Sequence, residues 1–401
     1  MTKPAHLPFA LPDIGEEEID EVVKTLRSGW LTSGPRVAQF ETDFATYTGA
    51  GRALALNSAT AGLHLALAAL GIGPGDEVIT TPLTFCATVN VILQCGATPV
   101  LADIGADLNI DLSAIHAALT PATRAILPVH VGGLPCNMEA IWDLARKHNL
   151  HVVEDAAHAA GSVYRGAKIG GGHSDAVAFS FYATKNLTTG EGGMVTTHSP
   201  QLDDRMRVLC LHGIDRQAWN RYSSLGNWAY EVSECGFKYN MSDLQASIGI
   251  HQLRKLDAMN ARRAVIAERY NYAFGQMDLF ETPPTRSDST HPWHLYPLRL
   301  NLNRLEVDRA DFINAMKTRG IGCSVHFIPI PLHSFYRRTL ELRDPCTRAL
   351  AEYPRLVSLP VYSRMTDADV ERVIGAVLEV AHCHRKTAVA VQESVSENVL
   401  C

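Results

Sequence analysis

Up to about residue 200, apolar and polar positions alternate between two patterns along the chain. Short apolar runs, typical of buried strands, are separated by segments in which apolar residues recur at helical spacing. This alternation predicts an α/β fold, with a mainly parallel sheet and helices on both faces. The predicted strands are 53–56, 77–81, 99–102, 125–129, 150–153, 176–181 and 194–197, and the helices between them are 63–70, 86–95, 112–119 and 138–148.

Outside this region the pattern is mostly helical and ends in a mixed α+β segment. Residues 16–26 predict an amphipathic helix, 28–35 a loop, and 212–249 a loop-like stretch rich in aromatic residues, the end of which overlaps a predicted helix. We therefore expect a large domain over 1–257, a smaller α+β domain over 258–384 and a fraying tail over 385–401. The break at 281–284, Glu-Thr-Pro-Pro, also allows a boundary near that point or in the helix before it. The later predicted helices are 202–210, 241–256, 261–274, 309–318 and 367–380, with strands at 293–300 and 323–327.

Two residues with chemical potential follow neighbouring predicted strands. Asp155 ends the run that begins at residue 150, and Lys185 lies just beyond the run 176–181. Ligands collect at the carboxyl ends of strands in α/β sheets. A lysine and an aspartate there suit pyridoxal phosphate, with the lysine forming a Schiff base and the aspartate holding the pyridinium nitrogen. Taken alone, however, the pair also fits a solvated loop lysine and a helix-capping acid.

A second feature lies at the turn 57–62, between a strand and an apolar helix. Free backbone N–H groups at a helix N-terminus bind anions, so this turn predicts a phosphate site, although its Ser and Thr would also serve as ordinary N-caps. It is not a P-loop, because no Gly-Lys-Ser/Thr follows. Phe85 follows the strand 77–81, where it could either join the core or lie against a flat ring.

Composition narrows the class of protein. The 401 residues are 46% apolar and 19% charged, which is ordinary for a soluble globular protein. A net charge of -6 with no basic block argues against nucleic acid as the main partner. No apolar run is long enough to span a membrane, and the N-terminus is unlike a signal peptide. The nine scattered cysteines form no CxxC pair and predict a reducing, cytoplasmic location, and the tract 382–384 has no partner cluster, so no metal is predicted.

A series of motifs in a fixed order makes most of the chain resemble the DegT/DnrJ/EryC1/StrS aminotransferases, pyridoxal-phosphate enzymes that act on nucleotide-linked keto-sugars. The chain is also similar to the subgroup that makes 4-amino sugars for cell-surface polysaccharide, including the 4-amino-4-deoxy-L-arabinose branch. The number and order of the motifs make the resemblance specific. They are SGWLTSGP at 28–35, NSATAGLHLAL at 57–67, TTPLTF at 80–85, VEDAAHAAGS at 153–162, FSFYATKNLTTGEGG at 179–193, GFKYNMSDLQASIGIHQLRKLD at 236–257, WHLYPL at 293–298 and GIGCSVHF at 320–327.

The resemblance implies the pyridoxal-phosphate-dependent transferase fold type I and a set of site residues. Lys185 is expected to bond to the cofactor and move the proton, with Asp155 on the ring nitrogen and His158 near the ring. Ser58, Ala59, Thr60 and Ser180 are the expected phosphate ligands, Phe85 is expected to stack on the ring, and Asn240 to come from the neighbouring subunit of a homodimer. The weaker substrate candidates are Trp30, Asn186, Lys238 and His326.

The implied reaction moves an amino group from L-glutamate to a nucleotide-linked keto-sugar, with a UDP-4-keto sugar expected. One alternative is a pyridoxal-type sugar dehydratase, but relatives with that chemistry carry histidine where Lys185 stands. Another is a non-catalytic regulator, which the complete set of lysine, aspartate and phosphate-binding residues disfavours.

Overall fold

The computed structural model describes residues 6–214 and 230–386. Its strands form one seven-stranded sheet and two three-stranded sheets. The strands are β1 Arg52–Leu56, β2 Glu77–Thr80, β3 Thr98–Leu101, β4 Thr123–Leu127, β5 His151–Asp155, β6 Val163–Tyr164, β7 Ala167–Lys168, β8 Ala176–Ser180, β9 Gly193–Thr197, β10 Phe280–Glu281, β11 Ser289–Thr290, β12 Tyr296–Leu300 and β13 Leu356–Leu359.

The helices are longer than the strands and cover both faces of the main sheet. Four of the predicted helices, 86–95, 112–119, 138–148 and 309–318, are confirmed to within one residue. The helices are α1 Glu16–Ser28, α2 Pro35–Thr48, α3 Ala59–Ala69, α4 Cys86–Gln94, α5 Leu112–Ala118, α6 Met138–His148, α7 Pro200–Cys210, α8 Asp243–Phe274, α9 Arg309–Thr318, α10 Ser334–Thr339, α11 Thr347–Glu352 and α12 Asp367–Cys383.

The main sheet has the strand order β1-β9-β8-β5-β4-β2-β3. Six of these strands are mutually parallel, and β9 runs antiparallel to both of its neighbours. One apolar cluster, with Leu63 of α3 and Val89 of α4, covers one face, and another, with Phe40 of α2 and Ile141 of α6, covers the other. The predicted fold class is confirmed, and the strand ends agree with prediction to within two residues.

Helix α2 was not predicted, although its pattern is visible in hindsight. Val37, Phe40 and Phe44 are buried at helical spacing, and Pro35 occupies the first helical position, which suits its fixed backbone angle. Helix α3 begins at Ala59, four residues before the predicted start. Ser58 caps it by accepting a hydrogen bond from the Ala61 N–H at 3.1 Å. A prediction from the apolar run alone therefore leaves out the first turn of α3, residues 59–62.

The predicted break between helices 241–256 and 261–274 is wrong, because α8 is one continuous helix of 32 residues. The intervening residues, Asp257 to Asn260, include neither proline nor glycine, so nothing interrupts the backbone hydrogen bonds. The predicted domain boundary after residue 257 therefore falls inside a helix, and it stays a prediction.

The smaller unit contains the antiparallel sheet β10-β12-β13 with α9 and α12 packed on it. The predicted strand 323–327 is wrong: only Ser324 makes a bridge, to Ser358 in β13, and the chain then turns into a cleft. The predicted strand 293–300 begins only at Tyr296. Of the tail predicted to fray, Arg385 forms a bridge with Leu305, whereas residues 387–401 lie outside the described residues.

Residues 215–229 of the predicted aromatic loop also lie outside the described residues. Within residues 6–214 and 230–386, no helix is both long enough and apolar enough to cross a membrane. The same residues contain no group of three or more His, Cys, Asp or Glu side chains arranged to hold a metal ion.

Candidate active site

A cleft of about 480 Å³ opens at the carboxyl ends of β5 and β8, between the main sheet and the smaller unit. Nine of the predicted site residues line it, and four do not. The nine are Ser58, Ala59, Thr60, Phe85, Asp155, His158, Ser180, Lys185 and His326. The cleft therefore gathers the expected cofactor-binding residues of this chain, except Asn240.

Asp155 is the last residue of β5 and is almost fully buried. Its carboxylate accepts hydrogen bonds from the Ala157 N–H at 3.1 Å and from the Thr88 hydroxyl at 2.9 Å. Thr84, whose hydroxyl lies 2.7 Å from that of Thr88, extends this chain to the cleft wall. Burial raises the pKa of Asp155, and these hydrogen bonds and the nearby Lys185 offset part of that shift. A cationic partner in the cleft would therefore stabilise the carboxylate.

Lys185 lies in the turn that follows β8, the strand that pairs with β5. Burial lowers the pKa of its ammonium group to about 8, against the opposing attraction of Asp155. Within the described part of the chain, its Nζ atom has no hydrogen-bonded partner. A lysine of this kind is readily deprotonated and suits nucleophilic or proton-transfer chemistry.

At the other side of the cleft, the N-terminus of α3 lies against the start of β9. A Cβ atom on Gly193 would lie 2.4 Å from the carbonyl carbon of Ser58 and 2.5 Å from the amide nitrogen of Ala59, so only glycine permits this approach. Among the described residues, the N–H groups of Ala59 and Thr60 have no partner. These free donors at the positive end of a helix form an anion site, with Ser180 also on the cleft wall.

Three histidines face the cleft, and burial lowers the pKa of each. For His326 the pKa falls to about 4, and for His158 and His294 it falls well below the usual value. All three are therefore neutral near pH 7. The Gly132 N–H donates to Nδ1 of His158 at 3.3 Å, so the ring proton of His158 is on Nε2. Nε2 can then donate a hydrogen bond.

Several lining residues were missed by the sequence reasoning. The ring of His294 lies 4.5 Å from that of His158, and Phe327 stacks on His158 at 5.6 Å. Phe9 stacks on His326 at 5.4 Å. His294 and Phe327 belong to quoted motifs, so a signal for them existed. Phe9 had none, because its segment reaches the cleft through the bridge between Leu7 and Ile321.

Phe85 is 58% exposed and lies on the cleft wall with its ring 6.0 Å from Phe327. It is therefore not a core residue, which was one of its two predicted roles. A large exposed aromatic face beside Asp155 and Lys185 is available to a flat ligand ring.

Asn186 does not line the cleft, although it was a substrate candidate. Its amide nitrogen donates to Asn260 at 2.7 Å and to the carbonyl oxygen of Pro292 at 2.8 Å. Its amide oxygen lies 3.0 Å from Nδ1 of His294. These three contacts hold the segment that carries His294 against α8.

The remaining three candidates, Trp30, Lys238 and Asn240, lie together outside the cleft. The Asn240 side chain donates to the Ser33 hydroxyl at 2.8 Å and accepts from the Lys238 ammonium. The Trp30 indole donates to the Ser33 carbonyl oxygen at 3.1 Å. These residues therefore form a separate polar surface cluster next to the N-terminus of α2.

The sheet with a single antiparallel strand, and a lysine and an aspartate at its carboxyl edge, define a fold type I transferase. The family model of the DegT/DnrJ/EryC1/StrS aminotransferase family matches residues 12–378, so the chain belongs to this family. The predicted family and the predicted class of enzyme, an aminotransferase, are confirmed.

Individual relatives are similar over nearly their whole length. The spore coat polysaccharide biosynthesis protein SpsC of Bacillus subtilis is 52% identical over 377 residues, which are 93% of this chain and 97% of SpsC. An uncharacterised protein of Methanocaldococcus jannaschii is 51% identical over 387 residues, 96% of this chain and 100% of that protein.

Among solved structures, Spr1654 of Streptococcus pneumoniae, assigned as a sugar aminotransferase, has a TM-score of 0.88 in its PMP-form. It is 34% identical, and the match covers 94% of this chain and 99% of that one. The same protein is also solved in a PLP-form. The predicted cofactor, pyridoxal phosphate, is thus confirmed for this family.

Proposed function

We propose that this protein is a pyridoxal-phosphate-dependent aminotransferase that moves an amino group from L-glutamate to a UDP-linked 4-keto sugar. The observation that carries the proposal is the convergence of Asp155, Lys185 and the free N-terminus of α3 on one cleft. The 52% identity to SpsC supports a role in surface polysaccharide synthesis. The UDP group and the glutamate donor rest on the family resemblance. A cytoplasmic location belongs to the same proposal.

The residues of the cleft fit the cofactor chemically. The unpartnered N–H groups of Ala59 and Thr60 suit a phosphate group. Phe85 offers an aromatic face to a pyridine ring. The buried Asp155 suits a protonated ring nitrogen, because a cation offsets the cost of burying the carboxylate. Lys185 provides the amine.

Each of these groups has a distinct task in amino transfer. When bound, pyridoxal phosphate supplies an electron sink for negative charge at the reacting carbon. Nζ of Lys185 moves the proton: with a pKa of about 8, it accepts and returns a proton near neutral pH. The Asp155 carboxylate holds the proton on the ring nitrogen. His158 donates from Nε2 into the cleft without adding charge.

The active site is proposed to be completed by a second copy of the chain. Asn240, the expected phosphate ligand from the neighbouring subunit, does not line the cleft of its own chain. It lies beside the loop of Trp30 and Leu31, whose side chains are 39% and 44% exposed. An exposed apolar loop next to a polar side chain suits a symmetric homodimer interface.

The central test is spectral and chemical. The purified protein should bind pyridoxal phosphate with visible absorbance, and Lys185→Ala should lose both the band and the activity. Lys168→Ala, which removes a lysine paired with Asp257 on the surface, should keep both. The pyridoxamine-phosphate form should then aminate one member of a panel of UDP-, GDP- and dTDP-ketosugars. Full activity of Lys185→Ala, or loss of water without an amino product, would contradict the proposal.

The dimer proposal has its own test by mixing two inactive variants. In hybrids of Asn240→Ala and Lys185→Ala, one of the two sites has an intact lysine and an intact partner asparagine. We expect mixing under subunit exchange to restore activity, and light scattering to give the mass of a dimer. If Asn240 acts within its own chain, no hybrid site is intact and activity stays lost.

A further inference from the structure

A buried polar chain lies on the face of the sheet opposite the cleft, directly behind Asp155. Nε2 of His130 lies 2.7 Å from Oε2 of Glu154, and the two side chains are 0% and 1% exposed. The other carboxylate oxygen of Glu154 accepts a hydrogen bond from the Ser174 hydroxyl at 2.5 Å. Ser174 in turn accepts from the Trp142 indole at 2.8 Å. None of these four residues lines the cleft.

In this series of hydrogen bonds, the residues at the two ends, His130 and Trp142, determine which group donates at each step. The Cys136 N–H donates to Nδ1 of His130 at 3.0 Å, so the proton of the neutral ring is on Nε2 and is donated to Glu154. Ser174 must donate to Glu154, because its oxygen already accepts from the indole, which can only donate. Both oxygens of Glu154 are therefore acceptors, and every polar group along the path has a partner.

The same segments hold the backbone of Asp155. Val129 forms a parallel bridge with Asp155. The Asp155 N–H donates to the Pro128 carbonyl oxygen at 2.9 Å, and the His130 N–H donates to the Asp155 carbonyl oxygen at 3.2 Å. Successive residues of a strand point to opposite faces, so Glu154 points away from the cleft when Asp155 points into it. A rotation of one residue therefore requires a rotation of the other.

We propose that the pair His130–Glu154 is a positioning device, which fixes the direction of the Asp155 carboxylate and through it the affinity for the cofactor ring. The proposal rests on the proposed function, because it concerns the same cleft. Glu154 and His130 touch no ligand. They act through the strand end that carries Asp155, since both side chains are anchored on the far face of the sheet. A buried network with all partners satisfied is rigid enough for this task.

The test measures binding of pyridoxamine phosphate, which makes no covalent bond, to cofactor-free protein by titration calorimetry. Glu154→Gln keeps the shape of the side chain but places an amide where two acceptors are needed. We expect its Kd to rise about tenfold, equivalent to about 1.4 kcal/mol. The matched control is Asp203→Asn, another buried carboxylate, paired with Arg207 at 3.0 Å and absent from the cleft lining. Its Kd should stay within about twofold of the wild type.

A double-mutant cycle separates positioning from general destabilisation. If Glu154 acts through Asp155, Glu154→Gln adds little to the loss of affinity in Asp155→Asn, but adds fully to that in Thr60→Ala. Thermal unfolding of each variant shows whether it is folded. Unchanged affinity in Glu154→Gln, or additivity with Asp155→Asn, would overturn the positioning role. Failure of the wild type to bind pyridoxamine phosphate would instead overturn the proposed function.

Discussion

The two ends of the cleft differ in which chemical groups they present: side chains at one end and backbone groups at the other. At the Asp155 end, consisting of Asp155, Thr88 and His158, buried side chains supply the chemistry, and burial raises the pKa of Asp155 and lowers that of His158. At the α3 end, consisting of Ser58 to Thr60 and Gly193, the backbone supplies it, and a missing side chain makes the approach possible. Substitution at the first end therefore changes charge, whereas at the second it changes shape. The difference predicts which variants lose catalysis and which lose only affinity.

The largest effect is expected at the Asp155 end. Asp155→Asn removes the charge that holds the proposed ring proton, and we expect kcat to fall about 10²- to 10³-fold. The Asp203→Asn variant should keep a kcat close to the wild type. Steady-state kinetics with saturating cofactor separates the two, and a kcat within a few-fold of the wild type for Asp155→Asn would show that the ring does not depend on this carboxylate.

The next effect concerns the pH response of Lys185. Its pKa is lowered, so the neutral amine forms as the pH rises through about 8, rather than through the usual value near 10.5. In cofactor-free protein at pH 7, its neutral fraction should therefore exceed that of an ordinary lysine by about 10²-fold. NMR of reductively methylated protein should show one lysine signal that titrates at a lower pH than the others, and Lys185→Ala should remove that signal. If a signal with this lowered titration pH persists in Lys185→Ala, the signal belongs to another group.

At the α3 end, Gly193→Ala changes the shape of the cleft wall without changing its charge. The new methyl group would overlap the backbone of Ser58 and Ala59, and the helix start must move away. We expect the Kd for pyridoxamine phosphate to rise about 10- to 100-fold, because such overpacking costs about 1–3 kcal/mol. Gly375→Ala, on α12 with open space around its Cβ position, is the matched control and should leave the Kd unchanged.

The smallest effect is expected for Thr60→Ala. The variant loses one hydroxyl at the α3 end but keeps the backbone N–H, which is the proposed main phosphate donor. We expect the Kd for pyridoxamine phosphate to rise about threefold to tenfold, with kcat nearly unchanged. A fall in kcat as large as that in Asp155→Asn would show that the two ends are not separate in function.

The sequence indicated the Asp155 end more completely than the walls around it. Strand ends are visible as apolar runs that stop at polar residues, so Asp155, Lys185 and the turn at Ser58 could be placed from local pattern. Asn186 could not, because its partners in α8 and at Pro292 are distant in sequence and its amide is saturated by them. His294 was marked only by its motif at 293–298, and the contribution of Phe9 depends on how the smaller unit lies against the sheet. No local pattern records that arrangement.

The prediction of a helix break after residue 256 was wrong for a related reason. Apolar spacing along α8 changes because the helix packs first on the main sheet and then on the smaller unit, and the change resembles an end. The strand predicted at 323–327 failed because apolar residues that line a cleft look like apolar residues inside a sheet. In both regions, the apolar pattern marked residues that are at least partly buried, but it did not show what they pack against.

The continuity of α8 has a mechanical consequence for substrate capture. Beyond its midpoint, Arg262 binds the Met365 carbonyl oxygen at 2.7 Å and Arg263 binds carbonyl oxygens at Trp293 and Val361. The segments that form the far wall of the cleft are thus hydrogen-bonded to α8, the same helix that packs on the main sheet. A hinge at residues 257–260 would break helical hydrogen bonds with nothing to replace them. We therefore expect the distance between the sheet and the far wall of the cleft to change little when a ligand binds, because α8 spans both units without a break.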